Sequence, residues 1–476
     1  MPYRHNVTWL IIFGVIALMF LQLPHLAARQ DAILRTYAAL VEVDALAKQK
    51  YVEPVEGARL VDGAIRGLLR QLDPYSAYIA PHQMRVFEEQ SRGAFTGVGV
   101  ELAVRGGRII VIAPVEGGPA VRAGILPGDV IITINGYAAD GLSLFDVETM
   151  LETGTNRPVT LQVEREGRRD PLTLTIQPGP ITLHTVRGFS RQEDGDWRFI
   201  IDDEPGIAYV RVSAFLENTM LEFREALRAV QQAGARAMVL DLRFNPGGLM
   251  NQAVDMADCF LEGGLILATV SRRHAEQEYF AKGEGTIDDL SLAVLINGSS
   301  ASSAEIVAGA LQDHDRAVII GERSFGKGSV QRLIHLTESE GAVKLTTAYY
   351  RLPRGRMIHR MTDNPTSDDW GIKPDVSVAI SPEEVDRIQA CRRRLDVPVG
   401  EVEAQWPRSS KEEAGRVQVG VELSEGNDGR SQEDARQSED GAARPEAAGI
   451  ILRTTYRDPQ LETAIARLRP RAAPAD

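Results

Sequence analysis

Only two cysteines, Cys259 and Cys391, occur in the 476 residues, and neither belongs to a CxxC spacing. No HExxH run occurs either, so neither a structural nor a catalytic metal site has support. Cys259 lies among Val254, Met256, Ala257 and Phe260 and reads as a core thiol. Cys391 falls in the polar run Ala390-Cys391-Arg392-Arg393, and whether the two pair is a question of geometry that spacing does not decide. Positive charge is short as well. The net charge of -13 argues against a nonspecific nucleic-acid binder, which needs a basic surface. None of the eight histidines sits in a motif offering a base; His314 and His359 come nearest and read as structural or surface residues.

A complete phosphate-binding loop is also missing. Gly321-Glu322-Arg323-Ser324-Phe325-Gly326-Lys327 follows an apolar strand and matches most of one, but Gly328 stands where a hydroxyl must hold magnesium. The leader lacks a full bilayer span of about 20 apolar residues. Its apolar run, Trp9 to Leu21, follows Arg4 and His5, is broken by Gln22 and Pro24, and precedes Ala27-Ala28. That layout is an export signal or an uncleaved membrane anchor, and either puts the body of the protein outside the cytoplasm.

What is present divides by texture. From Ala32 to about Leu72 apolar residues recur at helical spacing, with Asp73-Pro74 as a stop. From Phe95 to about Ile176 short alternating strands and glycine turns form a β-rich module of about 80 residues. From Ile207, strands and helices alternate: Ile207 to Val212, Leu221 to Ala233, Ala237 to Leu242, Met250 to Phe260, Leu292 to Ile296, Ala304 to Gln312 and Ala317 to Ile320. Such alternation indicates an α/β layered core. From Val402 to Ala448 large apolar residues are scarce and a linker is expected, before a short docking helix ending near Leu468.

Two segments carry chemistry. Asn297-Gly298-Ser299-Ser300-Ala301-Ser302-Ser303 follows a buried strand and opens a helix, where free amides and the positive helix end favour a developing anion. An N-cap serine would look the same, and position alone leaves Ser300, Ser302 and Ser303 undistinguished. Gly326-Lys327-Gly328 follows. With no histidine placed to take a serine proton, a neutral lysine amine is the usual substitute. A free lysine titrates near ~10.4, so Lys327 must be held neutral by burial to act. Arg243-Phe244-Asn245-Pro246-Gly247-Gly248 ends another buried strand, and its glycine amides can complete an oxyanion hole.

Together these residues resemble the carboxyl-terminal processing peptidases, or tail-specific proteases, which are serine endopeptidases with an embedded PDZ domain. The likeness runs from Tyr51-Val52-Glu53 to Gly371-Ile372-Lys373-Pro374-Asp375. It includes Leu72-Asp73-Pro74-Tyr75-Ser76, Phe95-Thr96-Gly97-Val98-Gly99-Val100, Ala123-Gly124-Ile125-Leu126-Pro127-Gly128-Asp129 and Gly326-Lys327-Gly328-Ser329-Val330-Gln331. The resemblance implies Ser302 as nucleophile, Lys327 as base, Gln331 as the residue orienting the lysine, and Asp313 as a supporting acid. It implies oxyanion donors at Ser303 and at Gly247 or Gly248. It further implies a carboxylate-binding loop at Gly97, Val98, Gly99 and Val100, with Val98 and Val100 lining an apolar pocket. Phe244 departs from the pattern, standing where a polar residue often precedes Asn245.

The fold class expected is therefore α/β multidomain: an N-terminal helical segment, a β-rich PDZ domain and a crotonase-like α/β layered peptidase core. The boundaries are 1–28 for the signal or anchor, 29–93 helical, 94–180 PDZ, 181–385 peptidase, 386–448 acidic linker and 449–476 helical tail. Expected partners are protein or peptide substrates with apolar C-termini, with no nucleic acid and no cofactor; anchoring and self-association stay open. The rival class is a noncatalytic PDZ adaptor on a dead scaffold, against which the complete Ser302, Lys327 and Gln331 set argues.

Overall fold

The computed structural model describes residues 35, 37–151, 157–192, 195–202, 206–273, 275–337, 339–361, 369–396 and 458–469. The leader run Trp9 to Leu21 and the linker from Val402 to Ala448 lie outside the described residues. Among the described residues no helix is long and apolar enough to cross a membrane. The chain divides into two units, one of residues 1–82 with 331–346, the other of 83–330 with 347–476.

In the first unit, residues 37–50 are helical and Gly57–Arg70 forms a second helix. Strand Ala77–Ile79 runs antiparallel to a later one, pairing Ala77 with Lys344 and Ile79 with Ala342. Leu69, Tyr78 and Ala80 pack there with Ile65, Leu336, Val343 and Leu345. Asp73 makes the turn between helix and strand by accepting the Tyr75 and Ser76 N–H groups at 2.7 Å each. The apolar face expected on the first helix is not buried, for Leu40, Val41, Val43 and Leu46 are all exposed.

The second unit holds the β-rich module and the α/β core. The module's sheet runs in the order Val100–Arg105, Arg108–Pro114, Val130–Ile134, Val159–Glu164 and Leu172–Ile176, with Tyr137–Ala138 beside Val130–Ile134. Alternate residues Val159, Leu161 and Val163 face a core closed by Val147 and Leu151 of the helix Leu144–Leu151. The module's two ends meet where Ala94–Gly97 pairs with Gly179–Thr182.

Four parallel strands form the middle of the peptidase sheet: Ile207–Val212, Ala237–Asp241, Ser291–Ile296 and Ala317–Gly321. All six residues of Ile207–Val212 and all five of Ala237–Asp241 are buried, as a parallel sheet covered on both faces requires. Period-two alternation sends Ala208, Val210, Met238, Leu240, Leu292 and Val294 to one face. Helices Thr219–Gln232, Met250–Asp258 and Ser303–Asp313 cover it. Ile207, Tyr209, Val239, Ala293 and Leu295 point the other way, against the tail helix Pro459–Leu468.

Two sequence expectations need correction here. Residues 386–396, assigned to the linker, belong to the helix Pro382–Asp396, which buries only Ile388 and Arg392 and so leaves no apolar periodicity to read. Cys259 is half-buried rather than enclosed; both cysteines are free thiols, and burial pushes Cys259 up to about 11.

Candidate active site

Two turns, each leaving the end of a parallel strand, are stitched together. The first is the glycine turn after Asp241. Phe244 is left-handed at φ 63°, and its N–H donates to Asn297 Oδ1 at 2.9 Å. Asn245 Nδ2 donates to the Val212 carbonyl at 2.8 Å, and Asn245 Oδ1 accepts the Gly247 N–H at 2.8 Å. Gly248 has φ 145°, and a Cβ there would lie 2.1 Å from the Phe215 carbonyl oxygen, so only glycine fits.

The second is the serine turn after Ile296, and it separates the three serines. Ser300 Oγ is fully buried and donates to the Leu242 carbonyl at 2.8 Å while accepting the Asn297 N–H. Ser303 Oγ donates to the Gly248 carbonyl at 3.0 Å. Ser302 holds the corner itself, left-handed at φ 54°. Tyr350, a buried tyrosine, stands beside it; burial raises the Tyr350 pKa and the Ser302 side chain lowers it. A non-glycine residue in this region is strained, and such strain collects where geometry is functionally constrained.

The turns touch closely. The Ala301 N–H donates to the Asn245 carbonyl at 2.9 Å, and a Cβ on Gly247 would come within 2.7 Å of Ser302 Cβ. Sequence left Gly247 and Gly248 as equal oxyanion candidates. The Gly247 N–H is committed to Asn245, whereas the N–H groups of Gly248 and Ser303 have no acceptor among the described residues.

Glu305 ties the lysine segment to this corner. Its Oε2 accepts the N–H of Ser302 and the N–H of Lys327, both at 2.8 Å, so the two nitrogens lie no more than twice that apart. Its Oε1 accepts the Gly326 N–H at 2.7 Å and the Ser324 hydroxyl at 2.5 Å, and Ser324 Oγ in turn accepts the Ile372 N–H. Burial lifts the carboxyl above its ordinary value, against four donors that favour the carboxylate. The loop is fixed further by Phe325 N–H on the Ser300 carbonyl and Tyr350 N–H on the Gly328 carbonyl. Glu305 is the site residue that reading for nucleophile and base passed over. Its signal was in the sequence, since Ser302 and Glu305 stand at capping-box spacing. Nothing in the sequence pointed to Tyr350.

The other expected residues fall in different places. Asp313 ends the eleven-residue helix that Ser302 begins, about 15 Å along it. There it accepts from the Arg354 N–H and from Arg356, so it does not join the serine corner. Gln331 lies in the first unit, where its Nε2 donates to Thr346 Oγ1 at 3.2 Å. The Thr346 N–H donates to Ser76 Oγ, which donates to Asp73, so the Leu72-to-Ser76 motif backs Gln331. In the β-rich module, the carbonyls of Val98 and Gly99 accept from Ala120 and Val115, while their N–H groups have no acceptor among the described residues. Val98, expected in the pocket, is buried in the module's core; Val100 is half-buried at the start of the edge strand. Gly97 is the last residue of its strand, opposite Gly179.

Comparison with known proteins agrees with this anatomy. The chain matches peptidase family S41 over residues 206–378, a PDZ domain over 96–176, and the N-terminal domain of the activating protease CtpB over 25–82. It is 36% identical over 373 residues to a carboxy-terminal-processing protease of Bartonella bacilliformis, covering 77% of this chain and 79% of that one. It is 32% identical to the carboxy-terminal processing protease CtpA of Bacillus subtilis, over 70% of this chain and 67% of that one. Among solved structures it is similar to a photosystem II D1 C-terminal processing protease, at 30% identity and a TM-score of 0.43, covering 70% of this chain and 85% of that one. The chain belongs to the carboxy-terminal processing proteases, serine-type peptidases of family S41 that carry a PDZ domain.

Proposed function

We propose that this protease works outside the cytoplasm with a Ser302–Lys327 dyad and captures the C-terminal tails of its substrates on the PDZ module. Neutral Lys327 takes the Ser302 Oγ proton as Oγ attacks the scissile carbonyl. The carbonyl oxygen becomes an anion received by the Gly248 and Ser303 N–H groups. Collapse breaks the C–N bond, and the lysine ammonium returns its proton to the departing amine. Water then attacks the acyl-serine, giving its proton to Lys327 and restoring the serine hydroxyl. Gln331 orients the amine by hydrogen bonding without adding a charge that would favour ammonium.

One observation carries this reading: a single Glu305 oxygen accepts the backbone of both Ser302 and Lys327, with Ser302 at a strained corner beside two uncommitted amides. Capture is supported by the strand Val100–Arg105, which stands at the edge of its sheet directly after the Val98-Gly99 amides. A tail can add there as a further strand with its carboxylate on the loop. Export rests on the Arg4-to-Ala28 leader pattern.

The test is cleavage of a protein with an apolar C-terminus by wild type, Ser302→Ala and Lys327→Ala, with the tail free or amidated. Loss of cleavage in both variants and slower cleavage of the amidated substrate are expected. Full activity in either variant removes the dyad; indifference to amidation removes the capture role.

A further inference from the structure

The glycine turn rests on residues from the far end of the chain. Arg243, which opens that turn, is 1% exposed and spends all five of its N–H groups on buried acceptors. Nε and Nη2 donate to the Asp241 carboxylate. Nη1 donates to Asp458 Oδ1 at 2.9 Å and to Gln460 Oε1 at 3.0 Å, and Nη2 donates to Asp458 Oδ2 at 2.8 Å. Asp458 is the N-cap of the tail helix, accepting the Leu461 N–H, and Gln460 is fully buried, its Nε2 donating to the Val378 carbonyl. Arg392 completes the set, reaching Asp241 and the Arg243 carbonyl. Two acids and two arginines thus balance one another, largely buried, at the start of Phe244-Asn245-Pro246-Gly247-Gly248.

We propose that Asp458 and Gln460 of the tail helix are positioning residues for catalysis, holding Arg243 so that the turn beyond it presents the Gly248 N–H to the reacting carbonyl. Without Asp458, Arg243 is a buried cation with one N–H on each Nη left without its acceptor, and it relaxes by moving toward Asp241 or solvent. The turn lies directly beyond it, with the Phe244 N–H bound to Asn297 and Asn245 bound to Val212 and Ala301, so a displaced Arg243 pulls on these bonds. A shift on the order of 1 Å costs about 100-fold in rate. The tail helix is then part of the peptidase rather than a cover for its sheet.

The inference rests on the Ser302 reading, and the experiment separates the two. Wild type, Ser302→Ala, Asp458→Ala, Gln460→Ala and the surface control Glu462→Gln are compared on one peptide substrate, and a peptide aldehyde is used as a probe of oxyanion binding. Asp458→Ala is expected to lower kcat about 100-fold with KM little changed, and to weaken aldehyde binding in parallel. Gln460→Ala gives a smaller change of the same kind, and Glu462→Gln gives none. Folded Asp458→Ala with a lowered melting temperature but wild-type kcat and aldehyde affinity overturns the proposal. If that variant does not fold, an unchanged kcat in Gln460→Ala overturns it instead. Undiminished turnover in Ser302→Ala sinks the nucleophile assignment whatever the tail variants do.

Discussion

The glycine turn and the serine turn leave neighbouring parallel strands, and each bends on one non-glycine residue in the left-handed region, Phe244 and Ser302. They are braced in opposite ways. The serine turn is held by an acid three residues along the same chain segment, Glu305, whose four partners are neutral donors. The glycine turn is held by charge against charge, with Arg243 between Asp241 and an acid from the tail helix. The neutral brace draws its other three donors from Ser324, Gly326 and Lys327, 19 to 22 residues along the chain, while the charged brace reaches across 215 residues to the tail helix.

The carboxylates at the two turns are shifted accordingly. Burial dominates at Glu305 and raises it. Burial also opposes ionisation of Asp241, but Arg243 and Arg392 outweigh it and hold that group well below the ordinary carboxylate range. The same chemical group therefore gains stability at one turn where it loses it at the other.

The largest expected effect tests what the corner is for. Ser302→Ala and Lys327→Ala each lower kcat by about 10⁴-fold or more, read as turnover of a peptide substrate. Gly248→Ala comes next: a Cβ 2.1 Å from the Phe215 carbonyl cannot be housed, and about 3 kcal/mol or more of stability is lost with activity. Gly298→Ala, on the serine turn but with its nearest contact 3.9 Å away, is tolerated. Equal damage at both positions, measured by thermal unfolding, would show that the two turns are equally intolerant.

Glu305→Gln keeps the shape but sets an amide N–H₂ against two of the four donors. About 2 kcal/mol of stability is lost for the unmet pairs, and kcat falls about 100-fold as the corner loosens. Its pH dependence sharpens the contrast. Because folding raises the Glu305 pKa, its contribution is fully present below 4.5 and lost as pH rises through the folded value, so wild type loses ground to Glu305→Gln on that side. Asp241 runs the other way, its contribution present above 3.8 and lost as pH falls through its depressed folded value, so the wild-type advantage over Asp241→Asn shrinks in acid. Melting temperatures of both pairs across pH would show slopes of opposite sign; parallel slopes contradict the account.

The smallest effect lies away from both turns. Gly99→Ala puts a side chain at φ 77° and a Cβ 3.1 Å from Ile181 Cδ1, straining the loop that is proposed to take a terminal carboxylate. KM for a substrate with a free apolar C-terminus is expected to rise about 10-fold, a cost of about 1.4 kcal/mol, while a short unstructured peptide is cut as before. Equal losses on both substrates would mark the module as a brace.

This contrast also explains what was legible. The serine turn and its helix could be read because the small residues Asn297 to Ser303 follow directly on the apolar strand Leu292 to Ile296 and open a helix. The central strands could be read because, buried on both faces, they are short near-continuous apolar runs. Asp458 could be recognised as a helix start before Pro459, but not as the partner of Arg243, from which 215 positions separate it. Asp313, assigned by resemblance as a supporting acid, stands at the far end of the helix that follows Ser302 and binds the Arg354 N–H and Arg356 there. Helix Pro382–Asp396 stayed hidden because it anchors through a buried arginine, which no apolar pattern announces.

The most direct test is where, and how fast, a fluorophosphonate probe reacts. Peptide mapping of wild type is expected to find the adduct on Ser302, and to find almost none in Lys327→Ala. An adduct on Ser300 or Ser303, or labelling of Lys327→Ala at the wild-type rate, would contradict the account.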